Sequence, residues 1–85
     1  MTNLNNVLRK MDEYYDIMNN ESDKIPYSRE EHKRFMINGP RYTDDRTISK
    51  YWEALGTIGA LVVFNGEAYI NVKNVCSLLG HDVTE

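Results

Sequence analysis

The sequence contains a single cysteine, Cys76, and no apolar run of membrane-spanning length. One cysteine excludes an internal disulfide and supplies no cysteine pair for a zinc site. A transmembrane helix needs about 20 consecutive apolar residues, and the N-terminal segment MTNLNNVLRK lacks the apolar stretch of a signal peptide. We therefore expect neither membrane association nor an export signal, with the cytoplasm as the default compartment.

Residues that would indicate catalysis are also scarce. His32 and His81 are far apart in the sequence, and neither has a partner at a spacing typical of a metal site or of a nucleophile. Cys76 lies on an apolar helical face, where a small buried side chain is expected. The adjacent acids Asp44 and Asp45 are explained by helix capping, and there is no Gly-rich phosphate loop. The prediction is a protein that is not an enzyme and uses no metal or cofactor.

The chain has charge of both signs, distributed unevenly. Its 85 residues are 41% apolar and 27% charged, the composition of a single globular domain over residues 1–85. The net charge of −3 argues against nonspecific binding to nucleic acid. Residues 24–50 nevertheless hold seven basic and four acidic side chains, whereas residues 1–23 and 51–85 are each net −3. This basic middle either forms a nucleic-acid footprint or is the solvated face of a helix.

Apolar residues near the N-terminus recur with the spacing of one broad helical face, which predicts a helix over residues 3–19. Steps of four and three residues form an a/d seam within it: Leu4, Leu8, Met11, Tyr15 and Met18. Two heptads are too short to associate unaided. The seam therefore either packs on the rest of the domain or also forms a dimer contact.

A pair of short helices is predicted over residues 28–56. Ser28 and Glu31 have the spacing of a capping box, in which each side chain hydrogen-bonds the backbone amide of the other residue, so the first helix begins at Arg29. It ends at Asn38-Gly39-Pro40, where Gly39 can adopt the left-handed conformation.

The second helix of the pair begins after a cap at Thr43 or Asp44 and ends at Gly56. Helical spacing divides its residues into two faces. The expected core face is Ile48, Tyr51, Trp52 and Leu55, and the expected outer face is Arg46, Ser49, Lys50 and Glu53.

The stretch LVVFNGEAYI predicts a β-hairpin over residues 60–72, because Asn65-Gly66 is the preferred pair for a type I′ turn. The two-residue loop pairs Phe64 with Glu67 and Leu61 with Ile70. The inward face is then Leu61, Val63, Ala68, Ile70 and Val72, and the outward face is Val62, Phe64, Glu67, Tyr69 and Asn71. A short helix over residues 73–80 and the polar tail HDVTE follow.

The order helix, helix, tight connection, helix and hairpin, with the stretch RYTDDRTISKYWEALGTIGALVVFNGEAYINV, resembles the winged helix-turn-helix domain over residues 28–72. The expected fold is α+β and mostly helical, with three helices, a β-hairpin wing and a short C-terminal helix. The resemblance implies that the third helix enters the major groove of double-stranded DNA. The residues expected near the bases are Arg46, Thr47, Ser49 and Lys50, and those expected near phosphates are Lys33, Arg34, Arg41, Tyr42 and Thr43.

The function implied is a sequence-specific DNA-binding regulator of bacterial or phage origin that acts as a homodimer. The dimer contact would come from the seam of the first helix or from Val62, Phe64 and Tyr69 on the outer face of the wing. Because Asp44, Asp45 and the acidic wing tip repel phosphate, we expect weak binding by each monomer. The alternative is a protein-binding module, of the phage antirepressor or anti-CRISPR type, that docks on a larger protein.

Overall fold

The computed structural model describes residues 4–80. The architecture is α+β, as predicted, and its sheet is antiparallel with strand order β1-β3-β2. The elements in this part of the chain are α1 (Leu4–Tyr15), a 3-10 helix (Ile17–Asn19), β1 (Lys24–Pro26), α2 (Arg29–Asn38), α3 (Asp45–Thr57), β2 (Leu61–Phe64), β3 (Glu67–Asn71) and α4 (Val72–Leu79). The predicted helix start at Asn3 and the tail with His81 lie outside the described residues.

The N-terminal helix is shorter than predicted, because Asp16 adopts a left-handed conformation with φ 52°. Asn19 donates both its backbone amide and its side-chain amide to Asp16, at 3.3 Å and 2.9 Å. The 3-10 helix formed in this way directs Ile17 into the core, where it is fully buried. The prediction of one continuous helix to residue 19 is therefore wrong after Tyr15.

The apolar stripe of α1 packs on the rest of the domain. Leu4, Leu8 and Met11 are each at most 1% exposed and belong to the hydrophobic core. Tyr15 is partly buried against that core, and its hydroxyl donates to Glu31 at 3.0 Å. Leu4, Leu8 and Met11 therefore pack internally, whereas Met18 at the end of the predicted seam is 58% exposed.

α2 begins where the sequence predicts, but only half of the capping box forms. Ser28 Oγ accepts a hydrogen bond from the backbone amide of Glu31 at 3.1 Å. The two carboxylate oxygens of Glu31 accept instead from Tyr15 Oη and from Arg34 Nη1. The sequence identifies the cap, which is local, and misses the partners supplied by another helix and by the next turn.

The turn between α2 and α3 differs from the predicted glycine cap. Gly39 has φ −91°, whereas Arg41 is the residue with a positive φ, of 67°. Gly39 is required for another reason, since a Cβ at this position would lie 2.9 Å from both Cε1 and the backbone oxygen of Phe35. The turn closes with a 2.8 Å hydrogen bond from the amide of Tyr42 to the carbonyl of Met36.

α3 is capped by Asp44, whose carboxylate accepts from the amide of Thr47 at 3.3 Å. The helix passes Gly56 and ends at Thr57, so the predicted end at Gly56 is wrong. Gly59, with φ 83°, is the left-handed residue, and the amide of Ala60 donates to the carbonyl of Leu55 at 2.9 Å. This pattern is a Schellman motif, which needs glycine after the helix and not within its last turn.

The hairpin has the predicted register and turn. Leu61 faces Ile70 and Phe64 faces Glu67, while Asn65 and Gly66 both have positive φ, as a type I′ turn requires. Val63 is nevertheless 74% exposed. Leu61 is buried, whereas Val63 and Phe64 next to the turn are both exposed, so the end of the hairpin extends beyond the core and the inward prediction fails for Val63.

Two elements that adjoin the hairpin, β1 and α4, differ from what the sequence predicts. β1 pairs with β3, with Ile25 opposite Ile70, and adds a third strand to the two-stranded hairpin that the sequence predicts. α4 covers Val72–Leu79 instead of residues 73–80, and it buries Val72 and Val75. Cys76 is only partly buried on α4.

Candidate nucleic-acid interface

The two faces of α3 are separated as the sequence predicts. Ile48, Tyr51 and Leu55 are buried, and Trp52 packs partly against the core. The opposite face is solvent-exposed and consists of Arg46, Ser49, Lys50 and Glu53. Side chains four residues apart on a helix are neighbours, so Arg46 and Lys50 form one exposed basic row.

A buried histidine fixes α3 against α2. His32 is fully buried; its Nε2 lies 2.6 Å from the carbonyl oxygen of Ile48, and its Nδ1 lies 2.6 Å from the hydroxyl of Tyr27. A carbonyl only accepts, so Nε2 carries the proton and donates, and Nδ1 accepts from the tyrosine. Burial lowers the pKa of His32, which favours this neutral form, and the charge of Arg29 lowers it further. α3 is therefore held by a neutral, fully satisfied network.

Aromatic contacts extend this network to the surface. The ring of Trp52 stacks on Tyr27 with centroids 6.0 Å apart, and the guanidinium carbon of Arg29 lies 4.8 Å from the Trp52 centroid. An arginine over a tryptophan face is favourable and geometrically ordered. Arg29, at the start of α2, is thus positioned by a residue of α3.

Of the three residues before the Asp44 cap of α3, one packs against the core and two are exposed. The ring of Tyr42 is partly buried and stacks on Tyr51 with centroids 5.5 Å apart. Arg41 and Thr43 on either side of it are exposed. Tyr42 therefore holds the turn in place, while Arg41 and Thr43 are accessible for the phosphate contacts that the sequence suggests.

The predicted cations are not equivalent. Within residues 4–80, the side chains of Lys33, Arg41 and Arg46 are exposed and make no ion pair. Arg34 is paired with Glu31 at 2.6 Å, and the amino group of Lys50 lies 5.3 Å from the centroid of the Tyr51 ring. Lys33, Arg41 and Arg46 consequently have more freedom to take an external anion than Arg34 or Lys50.

Thr47 has a structural role in addition to its predicted position near the bases. Its hydroxyl donates to the Asp44 carboxylate at 3.3 Å, beside the amide that donates to the same oxygen. The side chain is partly buried. Thr47 therefore completes the N-cap of α3.

The outer face of the sheet is less apolar than the sequence alone indicates. Phe64 is 56% exposed, whereas Val62 and Tyr69 are partly buried. The amino group of Lys24 lies 5.4 Å from the Phe64 centroid, and the hydroxyl of Tyr69 donates to Glu67 at 3.0 Å, which raises the pKa of Tyr69. β1 thus brings to the hairpin a cation that the hairpin sequence does not contain.

A polar cleft of about 300 Å³ lies between α1 and the turn that joins α2 to α3. Its lining residues are Lys10, Glu13, Tyr14, Asn38, Gly39 and Arg41. Lys10 and Asn38 do not appear among the residues predicted from the sequence, because only the fold brings α1 beside this turn. No local pattern in either segment could have indicated the contact.

In the part of the chain that the structure describes, no group of histidine, cysteine or acidic side chains could hold a metal ion. None of the helices described is long and apolar enough to cross a membrane. No protein-family model, no curated protein and no solved structure matches the chain.

Proposed function

We propose that this protein binds double-stranded DNA in a sequence-specific manner, as a small transcriptional regulator of bacterial or phage origin that acts in the cytoplasm. The observation that carries the proposal is the exposed row of Arg46, Ser49 and Lys50 on α3, a helix whose other face is fixed in the core. A rigid helix with a free basic face is the kind of element that enters the major groove.

The architecture is compatible with a winged helix-turn-helix. α2 and α3 are joined by a short turn, and α3 leads directly into the hairpin of β2 and β3. β1 adds a third strand to that hairpin. The sheet would then lie beside α3 as the wing, with Lys24 as a phosphate contact that the acidic tip residue Glu67 does not provide.

The exposed side chains suit distinct roles in such a complex. Arg46 can make a bidentate contact with guanine, and Ser49 and Lys50 can contact neighbouring base edges. Arg41, Thr43 and Lys33 are exposed and would meet phosphates on the flanking backbone. Arg34 contributes less, since its charge is already offset by Glu31.

A homodimer on two half-sites would compensate for the small number of cations in one domain. The core position of the α1 seam leaves the outer sheet face, with Val62, Phe64 and Tyr69, as the surface for this contact. Phe64 provides the most exposed apolar area of the three.

The second candidate is a protein-binding module that docks on a larger protein. It is favoured by the exposed apolar end of the hairpin, where Val63 is 74% and Phe64 is 56% exposed, and by the net charge of −3. The free cations on α3 and in the preceding turn favour the DNA-binding function over this one.

Two measurements distinguish the DNA-binding function from the protein-binding module. They are fluorescence anisotropy with a random DNA duplex at several salt concentrations and a sizing measurement. DNA binding requires that affinity falls linearly with salt on logarithmic axes, with a slope of about −0.9 for each phosphate contacted. A duplex that remains unbound at low salt would exclude the DNA-binding function and direct attention to the hairpin. There, Phe64→Ala with Tyr69→Ala tests for a protein partner or a dimer.

A further inference from the structure

The cleft between α1 and the α2–α3 turn has a net positive charge. Lys10 enters it from α1, Arg41 enters it from the turn, and Glu13 is the acid that opposes them. Glu13 is ion-paired with Lys10 at 3.7 Å, and its side chain is 70% exposed. Among residues 4–80, Arg41 has no ion-pair partner, and the side-chain amide of Asn38 makes no hydrogen bond. The cleft therefore offers one uncompensated positive charge and neutral donors.

The backbone of Arg41 gives a second, independent indication. Its φ of 67° lies in the left-handed region, which glycine or asparagine adopts more readily than arginine. Strained backbone in a folded protein tends to occur at binding sites, where a particular side chain is needed in a particular place. Within this turn, the guanidinium group in the cleft is the feature that glycine at position 41 would lack.

The position of the cleft relates it to α3. Arg41 precedes Arg46 by five residues, so their Cα atoms are at most about 17 Å apart. The major groove of DNA is about 12 Å wide. A helix that contacts bases through Arg46 would accordingly have the bordering sugar-phosphate backbone within reach of Arg41.

We propose that this cleft is a clamp for one phosphate group of the DNA backbone, held between Lys10 and Arg41 while α3 occupies the adjacent groove. The inference rests on the proposed DNA-binding function and adds α1 to the interface. One phosphodiester carries a single negative charge, which matches the uncompensated charge of the cleft. Asn38 would donate to a phosphate oxygen. Lys10 would leave its ion pair with Glu13 and pair with the phosphate instead.

The salt dependence of duplex binding tests the clamp. Arg41→Gly removes the guanidinium from a position that suits glycine, and Lys10→Gln removes the second cation. Each is expected to reduce the slope by about 0.9, and Arg41→Lys is expected to restore it in part. Arg9→Gln is the matched control, because Arg9 is an exposed cation on the same helix that does not line the cleft. Arg41→Gly should also unfold at the same or a higher temperature, which separates lost binding from lost folding.

Removal of Glu13 should have the opposite effect. Glu13→Gln frees Lys10 and removes the acid that opposes the phosphate, so DNA binding should strengthen by about two- to fivefold, the range expected for an exposed ion pair. Glu21→Gln, which removes an exposed acid outside the cleft, should not reproduce this gain. A gain in affinity cannot result from misfolding.

The outcomes separate the clamp from the DNA-binding function itself. If the unaltered protein binds DNA and Arg46→Ala weakens it, but Arg41→Gly and Lys10→Gln keep the original slope, the clamp is wrong and the function stands. A chemical-shift change of the Asn38 side-chain amide with inorganic phosphate, together with that unchanged slope, would show a site for a free anion and would also overturn the clamp. Absence of any DNA binding at low salt would overturn both.

Discussion

His32 of α2 and Ile48 of α3 are joined by a hydrogen bond of 2.6 Å between the ring Nε2 and the backbone carbonyl oxygen. The other ring nitrogen accepts from the buried hydroxyl of Tyr27. Three segments of the chain therefore meet at one neutral imidazole. The orientation of the exposed basic row on α3 depends on a residue that makes no contact with solvent.

Replacement of this histidine should destabilise the fold. His32→Leu removes both hydrogen bonds and leaves the Tyr27 hydroxyl buried without its partner, which costs about 2–3 kcal/mol of unfolding free energy. Urea denaturation followed by circular dichroism measures the loss. Lys33→Leu, at the next and exposed position, should remain within about 0.5 kcal/mol of the original protein. Equal stability of the two variants would show that the network contributes nothing.

The stability should also depend on pH through His32. Its folded pKa lies below its unfolded value of about 6.5, so the unfolded chain binds more protons between the two values. The contribution is fully present above the unfolded pKa and is lost as pH falls toward the folded pKa. Urea midpoints between about pH 5 and 8 should fall more steeply in acid for the original protein than for His32→Leu. Parallel profiles of urea midpoint against pH for the two proteins would exclude His32 as the source of the pH dependence.

Two glycines in similar sequence contexts should respond oppositely to alanine. Gly39→Ala places a methyl group 2.9 Å from Phe35 Cε1, and such overpacking costs about 1–3 kcal/mol. Gly56→Ala meets no atom within 4 Å and lies inside α3, so helix propensity should stabilise the protein by about 0.5–1 kcal/mol. Thermal unfolding of the two variants gives the sign of each change. A stabilised Gly39→Ala would contradict the close approach in the α2–α3 turn.

The sequence predicts this fold best where the determinants are local. The Asn65-Gly66 turn specifies the hairpin register, and Ser28 and Asp44 specify the starts of α2 and α3. The left-handed residues that follow α2 and α3 are missed, because Gly39 and Gly56 look like caps in the sequence. Gly39 packs closely against Phe35, and Arg41 adopts the left-handed conformation instead. α3 ends after Gly56, and Gly59 is the left-handed residue there.

The candidate site likewise combines features that are local in the sequence with features that only the fold creates. Helical periodicity is sufficient to identify the exposed face of Arg46, Ser49 and Lys50. The pairing of β1 with β3, which brings Lys24 to the hairpin, depends on segments distant in the sequence. The cleft that brings Lys10 beside Arg41 has the same origin. Contacts of this kind leave no pattern within either segment, so no reading of one segment could reveal them.

We propose that the exposed cations of α3 bind DNA, and the removal of these charges as a pair is the decisive test. Arg46→Ala with Lys50→Ala removes two cations from the proposed interface, whereas Arg9→Ala with Lys73→Ala removes two exposed cations elsewhere. Both variants have the same net charge. Anisotropy titration of a DNA duplex at low salt should show binding weakened roughly tenfold or more for the α3 variant, given about 1–3 kcal/mol for each good base contact. Equal binding by the two variants would contradict the assignment of α3 as the DNA-binding helix.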